Sequence, residues 1–410
     1  MHLTEEERAM ASGRFGKGIK RSMDLLVKFG QAFGASRMVR VASAHIMPKG
    51  PIDLLKEFTE GVENAPTFCT LHPFMSAFDP EKWEGMGIPE AFASQELPAF
   101  NERLAIYRRL GIYQTYTCLP MLVGNLPRKG ECISWIGSCA QLFVNSLLGA
   151  RTNRDGAVTN LAVAVTGRAP YIGNFLDENR RAQLLVRVRH MKGGLSYTDL
   201  GAIGYYVGEK ARDRNIVIDG LPPDLDLSRS LALLAPLPAS GAVNLCHIPG
   251  VTPEAANVSD VIDESCERIS VGKEDVTAMK GLFGGTGPVD LAVFGCPHCT
   301  ISDLKTLAAL LKGKALARNK RLWIGLPYQT YQLGQAMGFT GEIENAGGVI
   351  TSSCMAAIPD APFPVSVKAV ATNSFKAAHY ISRLTNGRVR VYVGELEACI
   401  EAVTGGVFRQ

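Results

Sequence analysis

The sequence predicts an α/β fold, because short apolar runs with strand composition alternate with stretches of helical spacing. The run Leu291–Phe294 lies between Pro288 and Gly295 and is typical of a strand buried on both faces. Leucines then recur at helical spacing, at Leu304, Leu307, Leu310 and Leu311. A helix is therefore expected next, with Ser302 and Asp303 as its start signal.

The same alternation continues to the end of the chain. Three further strands are expected at 321–324, 348–350 and 365–370, with a helix at 330–337. The last strand and the last helix are expected at 388–393 and 396–403. In an open α/β sheet the loops after the strands lie along one edge, where sites form.

Helices and strands are also expected to alternate in the first half of the chain. Helical spacing predicts two helices within 3–34 and others at 48–62, 97–110, 139–148, 157–166 and 196–212. Strand composition predicts strands at 37–43, 67–70, 112–117 and 216–218. Residues 254–284 are expected to form one or two helices.

The chain has 410 residues, which is too long for one core, so more than one domain is expected. We expect an N-terminal α/β region at 1–220 and a C-terminal α/β region at 221–410, with a further division near residue 285 left open. The segment 220–228, which contains Pro222 and Pro223, is the linker candidate.

Composition limits the classes of partner. A net charge of +4 is spread along the chain, so no nucleic-acid partner is expected, although it suits a small anionic substrate. A basic cluster is interrupted by apolar residues and predicts a solvated helix face: Arg180, Arg181, Arg187, Arg189, His190 and Lys192.

Location is predicted from what the chain does not contain. The first ten residues are rich in acids and include no apolar signal segment, and no apolar run approaches the length of a membrane span. We therefore expect no membrane association and a cytoplasmic location. The ten cysteines form no disulfide framework and are expected to be reduced thiols or metal ligands.

The main functional signal is that cysteines follow three separate predicted strands. Cys118 follows 112–117, Cys296 follows 291–294, and Cys354 follows 348–350. The strand at 365–370 is followed by Asn373, Ser374 and Lys376. Because such loops meet at one edge of a sheet, these side chains are expected to converge.

Three kinds of chemistry fit these thiols. Cys296 and Cys299 at a helix start could form a thioredoxin-like pair, although this leaves Cys118 and Cys354 unexplained. Structural zinc needs four ligands at paired short spacings. Three thiolates from distant strands suit an iron–sulfur cluster with one iron free of protein ligands, which can act as a Lewis acid.

The remaining cysteines and several histidines have simpler interpretations. Six cysteines are expected to be small packing residues: Cys69, Cys132, Cys139, Cys246, Cys266 and Cys399. His2, His190 and His247 are expected to be surface or satisfied histidines. His298 could equally bond a loop carbonyl, and Ser374 could simply cap a helix.

Four motifs resemble the large, catalytic subunit of the aconitase X family. They are Gly-Cys-Pro-His at 295–298, Asn-Ser-Leu-Leu-Gly-Ala-Arg-Thr-Asn-Arg at 145–154, Thr-Gly-Arg-Ala-Pro at 166–170, and Thr-Asn-Ser-Phe-Lys-Ala-Ala-His-Tyr at 372–380. The run at 145–154 is long and specific, and the resemblance extends over nearly the whole chain.

The resemblance implies an aconitase-like fold, with several α/β/α domains around a central cleft and the swivel domain absent from this chain. It implies a hydro-lyase that acts on a small hydroxy acid with an iron–sulfur cluster, [4Fe–4S] being the first expectation and another iron centre the alternative. Known members dehydrate mevalonate 5-phosphate or cis-3-hydroxy-L-proline. The implied partner is a small swivel-domain subunit.

Carried over motif by motif, the resemblance assigns the cluster ligands as Cys118, Cys296 and Cys354, and it excludes Cys299. The expected catalytic residues are Ser374, Lys376 and Ser138, although the base could instead come from the small subunit. The expected substrate-binding residues are His45, Asn145, Ser146, Arg151, Thr152, Asn153, Arg154, His298 and Asn373.

The chain departs from the family at two places. The family usually has Trp-x-Glu-Ser, and this chain has Gly137 at the position of that carboxylate. The loop at 46–51 is shorter than usual.

Mevalonate 5-phosphate is the first substrate expected, because 153–156 and 173–180 resemble the archaeal type. The alternatives are cis-3-hydroxy-L-proline, an uncharacterised substrate, or a non-catalytic metal-binding relative.

Overall fold

The computed structural model describes residues 1–74, 79–355 and 366–409. Three parallel sheets flanked by helices form the framework. Two short antiparallel pairs each join segments that are distant in the sequence. Within these ranges, no helix combines the length and the apolar character needed to cross a membrane.

The first region contains a three-stranded sheet with the order β3-β2-β4. Its elements are α1 Glu5–Ala11, α2 Lys17–Ala32, β1 Met38–Arg40, β2 Ser43–Ile46, α3 Ile52–Phe58, β3 Phe68–Leu71, α4 Trp83–Met86, α5 Glu90–Arg109, β4 Ser134–Trp135, α6 Ser138–Phe143, α7 Ala157–Thr166 and β5 Arg168–Pro170. A π-helical turn, Val144–Leu148, follows α6. Helix α7 packs on α2 and β2, and its apolar residues 161–165 are buried in this core.

The second region contains a four-stranded sheet with the order β8-β7-β6-β9. Its elements are β6 Ala182–Val188, α8 Tyr197–Ala211, β7 Ile216–Asp219, α9 Leu227–Leu234, α10 Leu237–Ser240, β8 Cys246–His247, β9 Ile262–Val271 and α11 Lys273–Leu282. The glycines of α8 allow close packing, since a Cβ at Gly204 would lie 2.0 Å from the carbonyl oxygen of Leu233.

The third region contains a five-stranded sheet with the order β13-β12-β11-β14-β15. Its elements are β10 Gly287–Pro288, β11 Leu291–Phe294, α12 Ile301–Leu311, β12 Arg321–Gly325, α13 Tyr328–Ala336, α14 Phe339–Asn345, β13 Val349–Thr351, β14 Ala369–Thr372, α15 Phe375–Leu384, β15 Arg390–Val393, α16 Leu396–Gly405 and β16 Val407–Phe408. The strand order reverses between β11 and β14, and this reversal opens a crevice at their carboxyl ends.

Several sequence predictions need correction. The segment 112–117 is not a strand; only an isolated bridge joins Tyr113 to Thr70. Within 254–284 the expectation of one or two helices is confirmed by α11, but the strand β9 before it was not predicted. The expected strand at 37–43 is divided into β1 and β2. Helix α12 begins at Ile301, and its N-cap is Thr300 rather than Ser302: the hydroxyl of Thr300 accepts a hydrogen bond from the backbone N–H of Asp303. The predicted strand at 365–370 starts at residue 365, which lies outside the described residues, and the structure has β14 at Ala369–Thr372.

The basic cluster at 180–192 is not a helix face, because it leads into and continues along β6. Arg180 is buried, with only 2% of its side chain exposed, and its guanidinium binds both carboxylate oxygens of Glu254. Its Nη1 also donates to the carbonyl of Asn174 and the side chain of Asn145. This arginine therefore connects the first and second regions from the inside.

Replacing Arg180 with Met is expected to lower the free energy of unfolding by about 3 to 5 kcal/mol, because Glu254 is left without its buried partner. Urea unfolding measures this loss. Arg181→Met is the matched control, since Arg181 pairs with Asp263 at the surface and such pairs contribute at most about 1 kcal/mol. Equal losses in the two variants would contradict the structural role of Arg180.

Candidate active site

The carboxyl ends of strands from two sheets border one cavity of about 290 Å³. The loops after β3, β4, β13 and β14 each contribute to its wall. The lining residues are Met47, His72, Cys118, Ile136, Gly137, Ser138, Cys139, Gln141, Arg154, Asp155, Cys354, Lys376 and Tyr380. This placement agrees with the general location of ligand sites in α/β proteins.

Thiols dominate one side of this cavity. Cys118, Cys139 and Cys354 line it directly, and Cys296 lies within electrostatic range of Cys139 and Cys354. Burial raises the pKa of Cys296 to about 12 and raises that of Cys118 well above its ordinary value, while Lys376 opposes both shifts. The three cysteines expected to act together are therefore brought to one place.

Backbone contacts fix these thiols. The amide of His298 donates to the Sγ atom of Cys118 at 3.1 Å. The hydroxyl of Ser374 donates to the carbonyl oxygen of Cys296 across the reversal between β11 and β14. The amide of Cys354 donates to the carbonyl of Phe74 at 2.6 Å. Two of these bonds join the first region to the third, and the bond between Ser374 and Cys296 lies within the third region.

The imidazole of His298 serves the same framework. Its Nε2 lies 3.0 Å from the carbonyl oxygen of Ser353, next to Cys354. Its Nδ1 is buried and has no hydrogen-bond partner among the described residues. Burial lowers the pKa of His298 to about 4, so the ring is neutral. His298 thus bonds a loop carbonyl, which was the alternative to substrate binding; its substrate-binding role stays a prediction.

Lys376 is a buried cation that faces the thiols. It lies in the first turn of α15 and is 8% exposed. Burial alone lowers the pKa of Lys376, but the nearby Cys139 and Cys296 outweigh burial and hold that pKa above its ordinary value. No carboxylate pairs with it in the part of the chain that the structure describes. The ammonium is therefore available to an anion in the cavity.

Two histidines stand in contact at the ends of β2 and β3. Nε2 of His45 lies 3.2 Å from Nδ1 of His72, and Nδ1 of His45 lies 2.9 Å from the hydroxyl of Thr70. His72 lines the cavity, whereas His45 is fully buried behind it. Burial lowers the pKa of His45 to about 3. The predicted substrate contact His45 is thus separated from the cavity by His72.

Because residue 137 is a glycine, the imidazole ring of His72 can pack directly against its backbone. The backbone at Gly137 has φ +94°, and a Cβ there would lie 2.5 Å from Cε1 of His72. A side chain at 137 could not coexist with His72 in this position. The imidazole therefore occupies the volume that a carboxylate-bearing side chain would need.

Asp155 is a carboxylate that lines the cavity. Its Oδ2 accepts a hydrogen bond from the hydroxyl of Ser134 at 3.1 Å. Burial raises the pKa of Asp155 to about 6, against the opposing effect of that bond. Because the folded state holds this proton more tightly than the unfolded state, stability falls as the pH rises from about 4 to about 6.

Replacing Asp155 with Asn is expected to stabilise the protein above pH 6 by about 1 to 2 kcal/mol, with partial exposure taken into account. At pH 4.5 the difference should be small, because the native carboxyl is already protonated. Urea unfolding at pH 4.5 and pH 7.5 measures both values. A gain of the same size at both pH values would contradict this titration.

The run at 145–154 mostly binds the chain itself. Asn145 bonds Thr152 through both amide atoms, and Ser146 accepts a hydrogen bond from the amide of Cys246. Arg151 donates to the carbonyl of Phe175 and pairs with Asp177, while Asn153 bonds the backbone at 172 and 174. These four, with Thr152, brace the loop. Their roles as substrate contacts stay predictions.

Four other residues were predicted to belong to the site: Ser138, Arg154, Asn373 and Ser374. Ser138 and Arg154 line the cavity. Asn373 is partly buried beside Ser374, and Ser374 caps α15 by accepting a hydrogen bond from the amide of Ala377. The roles of all four stay predictions.

The sequence analysis missed some of the cavity residues. His72, Asp155 and Gln141 were not selected, and Cys139 was assigned to packing although it shares the wall with Cys118. The available signal was position: His72 follows β3, and Cys139 follows β4. A second cleft of about 480 Å³, near Asp79 and Tyr331, is larger. None of the thiols lines this second cleft. The smaller cavity is therefore the candidate active site, because of its side chains and not its volume.

The residues present fit a polynuclear iron–sulfur group better than a single ion. Soft thiol donors from separate loops, with a buried ammonium beside them, suit an anionic cluster. Among residues 1–74, 79–355 and 366–409, no three His, Cys, Asp or Glu side chains are arranged to hold one metal ion. Cys118, Cys296 and Cys354 would be the cluster ligands, with Cys139 nearby.

Three family descriptions match consecutive parts of the chain. Residues 1–178 match the aconitase X first domain, 182–281 the second domain, and 289–405 the third domain. Each of the three matched ranges corresponds to one region of the fold and contains that region's parallel sheet.

Similar proteins cover nearly the whole chain. The phosphomevalonate dehydratase large subunit of Methanocaldococcus jannaschii is 34% identical over 98% of this chain and 100% of its own length. The cis-3-hydroxy-L-proline dehydratase of Hypocrea jecorina is 31% identical over 100% of this chain and 69% of its own length. The crystal structure of Thermococcus kodakaraensis aconitase X (holo-form) has a TM-score of 0.84 at 30% identity, covering 98% of this chain and 100% of that chain.

Proposed function

We infer that this chain, which belongs to the aconitase X family and is a hydro-lyase, depends on an iron–sulfur cluster and dehydrates a small anionic hydroxy acid. The expected aconitase-like α/β fold is confirmed. The observation that carries the proposal is the meeting of Cys118, Cys354 and Lys376 in one cavity with Cys296 beside it.

The cluster would be held by Cys118, Cys296 and Cys354, and we propose [4Fe–4S]. When bound, such a cluster supplies a Lewis acid for the leaving hydroxyl. All ten cysteines are unpaired, which supports a reducing, cytoplasmic location as part of the proposal.

The chain's own residues would bind and orient the substrate. Lys376 is a buried ammonium placed to hold a carboxylate or phosphate oxygen. Arg154 lines the same cavity and could bind a second anionic group in a bidentate manner. Ser138 lies at the start of α6 and offers a hydroxyl for a substrate oxygen.

We propose mevalonate 5-phosphate as the first substrate. Relatives named phosphomevalonate dehydratase large subunit match along the full length of both chains, whereas those named cis-3-hydroxy-L-proline dehydratase are longer. The name large subunit also supports a separate small partner, which would carry the swivel domain. cis-3-Hydroxy-L-proline is the alternative substrate.

The proposal is tested by reconstituting the chain anaerobically with iron and sulfide, and by assaying it with a swivel-domain subunit from the same organism. Water loss from mevalonate 5-phosphate is expected with both subunits present and not with this chain alone. Turnover of cis-3-hydroxy-L-proline alone would replace the substrate assignment. No dehydration of either compound by a cluster-loaded pair would contradict the proposal.

A second candidate, a non-catalytic metal-binding relative, is favoured by one feature: Gly137 in place of a carboxylate. This candidate predicts that the complete pair binds metal but turns over no hydroxy acid. The contact between Gly137 and His72 argues against it, because the space is refilled by a group able to transfer protons.

A further inference from the structure

A small apolar pocket, here called the side pocket, lies next to the active-site cavity. Its volume is about 110 Å³. Most of its wall consists of aliphatic side chains, namely Ile46, Leu54, Leu55, Val158 and Leu161. An apolar cavity of about 150 Å³ in another protein holds a benzene molecule. The side pocket therefore has room for a short alkyl group.

Met47 lines both the active-site cavity and the side pocket. It directly follows β2, the central strand of the first sheet. The amide of His72 donates to the carbonyl of Ile46 at 2.8 Å, and the amide of Ile136 donates to the carbonyl of His45 at 2.9 Å. Hydrogen bonds to both neighbouring segments thus fix β2 up to the residue before Met47. Met47 comes next, and it lies between the two spaces.

Helix α5 holds the loop that carries Met47. The hydroxyl of Tyr107 donates to the carbonyl oxygen of Met47 at 3.4 Å, and Nη2 of Arg103 donates to the carbonyl oxygen of Gly50 at 3.0 Å. Tyr107 and Arg103 also line the side pocket. Because these bonds involve only the backbone of the loop, a smaller side chain at position 47 leaves them in place.

The apolar part of the cavity wall is small. Lys376 and Arg154 supply the cations for anionic groups of a substrate, whereas Met47, Ile136 and Tyr380 supply apolar surface. An alkyl branch of a substrate is best placed against this apolar surface, away from the charged groups. Of these three apolar residues, Met47 is the one that also borders the side pocket.

We propose that Met47 is a specificity-determining residue, which closes the cavity off from the side pocket and so limits the size of the alkyl branch on the substrate. This inference rests on the proposed dehydratase function. Shortening the side chain joins the two spaces, so that a longer branch enters the side pocket. One methylene group in such a pocket changes kcat/KM by about 10- to 200-fold.

The test compares the parent with Met47→Ala, each loaded with the cluster and paired with the small subunit. The substrates are mevalonate 5-phosphate and its homologue with propyl in place of methyl on the hydroxyl-bearing carbon. The measured quantity is kcat/KM for the propyl compound divided by kcat/KM for mevalonate 5-phosphate. We expect this ratio to rise at least about tenfold in Met47→Ala.

Ile136→Ala is the matched control, since Ile136 is an apolar residue that lines the cavity and is not among the residues of the side pocket. Its ratio should stay within about threefold of the parent ratio. Met47→Val, a milder truncation, takes the place of Met47→Ala if that variant does not fold, and its ratio should rise as well.

Xenon measures the separation of the two spaces without activity, because dry apolar cavities bind it. In crystals under xenon pressure, the side pocket of the parent, Met47→Ala and Ile136→Ala should contain xenon. In Met47→Ala alone, the xenon density should extend into the volume of the deleted side chain.

Three results would overturn the role of Met47. They are an unchanged ratio in Met47→Ala, an equal rise in Ile136→Ala, and xenon density that ends at the same place in Met47→Ala and the parent. If the parent pair dehydrates neither compound, the proposed function fails. The xenon density then decides by itself whether Met47 separates the two spaces.

Discussion

Replacing Cys354 with Ser is expected to leave the anaerobically purified chain without bound iron and sulfide, and therefore without dehydratase activity. Cys354 is the partly exposed thiol at the cavity, and its backbone is already held by the carbonyl of Phe74. A serine would keep that backbone bond and remove only the thiolate. Because a cluster held by three thiolates loses a third of its protein ligands, its retention should fall sharply.

Cys132→Ser is the matched control, since Cys132 is another partly exposed thiol that does not line the cavity. Iron and sulfide per chain and the visible absorbance should match the parent in this control. Full cluster content in Cys354→Ser would remove Cys354 from the ligand set. Loss in both variants would indicate general damage rather than a ligand.

Replacing Lys376 with Met is expected to lower kcat by about 10²- to 10³-fold in the complete pair. Methionine fills a similar volume without charge. The cavity then loses the buried ammonium that faces Cys139, Cys296 and Cys118. A substrate anion would no longer be held there, and negative charge on the cluster side would be less well compensated.

Steady-state kinetics, with iron quantified per chain, separates weaker binding of the substrate anion from weaker charge compensation on the cluster side. Lys368→Met, an exposed lysine on the same stretch of chain, should behave like the parent. A kcat of Lys376→Met within about threefold of the parent, at equal iron content, would exclude Lys376 from the catalytic machinery.

Much of the fold could be predicted because its elements have strong patterns. Helix α7, Ala157–Thr166, and strand β11, Leu291–Phe294, were predicted with the bounds that the structure has. Strand β9 was missed because it is an edge strand paired only with β6, and most of its side chains are not buried. Its sequence therefore has no apolar run to signal a strand.

The segment 112–117 shows the opposite error. Its composition is that of a strand, but Tyr116 has φ +41° and only Tyr113 forms a ladder contact. A positive φ at a bulky residue breaks an extended conformation. Tertiary packing of Tyr116 on Phe74, with ring centroids 4.0 Å apart, decides its path instead.

The thiols of the site could be predicted because each follows a strand or a strand-like segment. The contact between His72 and Gly137 could not, because it depends on how the ends of β3 and β4 approach each other. The arginine and asparagine side chains at 151–154 look the same in sequence whether they bind a substrate or backbone carbonyls. Arg151 and Asn153 were found bonding the chain, since guanidinium and amide groups suit both tasks.

The most direct test of this account is anomalous diffraction at the iron absorption edge from crystals of the anaerobically reconstituted chain. The account predicts one compact group of iron peaks at the cavity, within bonding distance of the Sγ atoms of Cys118, Cys296 and Cys354. Iron peaks elsewhere, or a cluster bound without one of these three thiols, would contradict it.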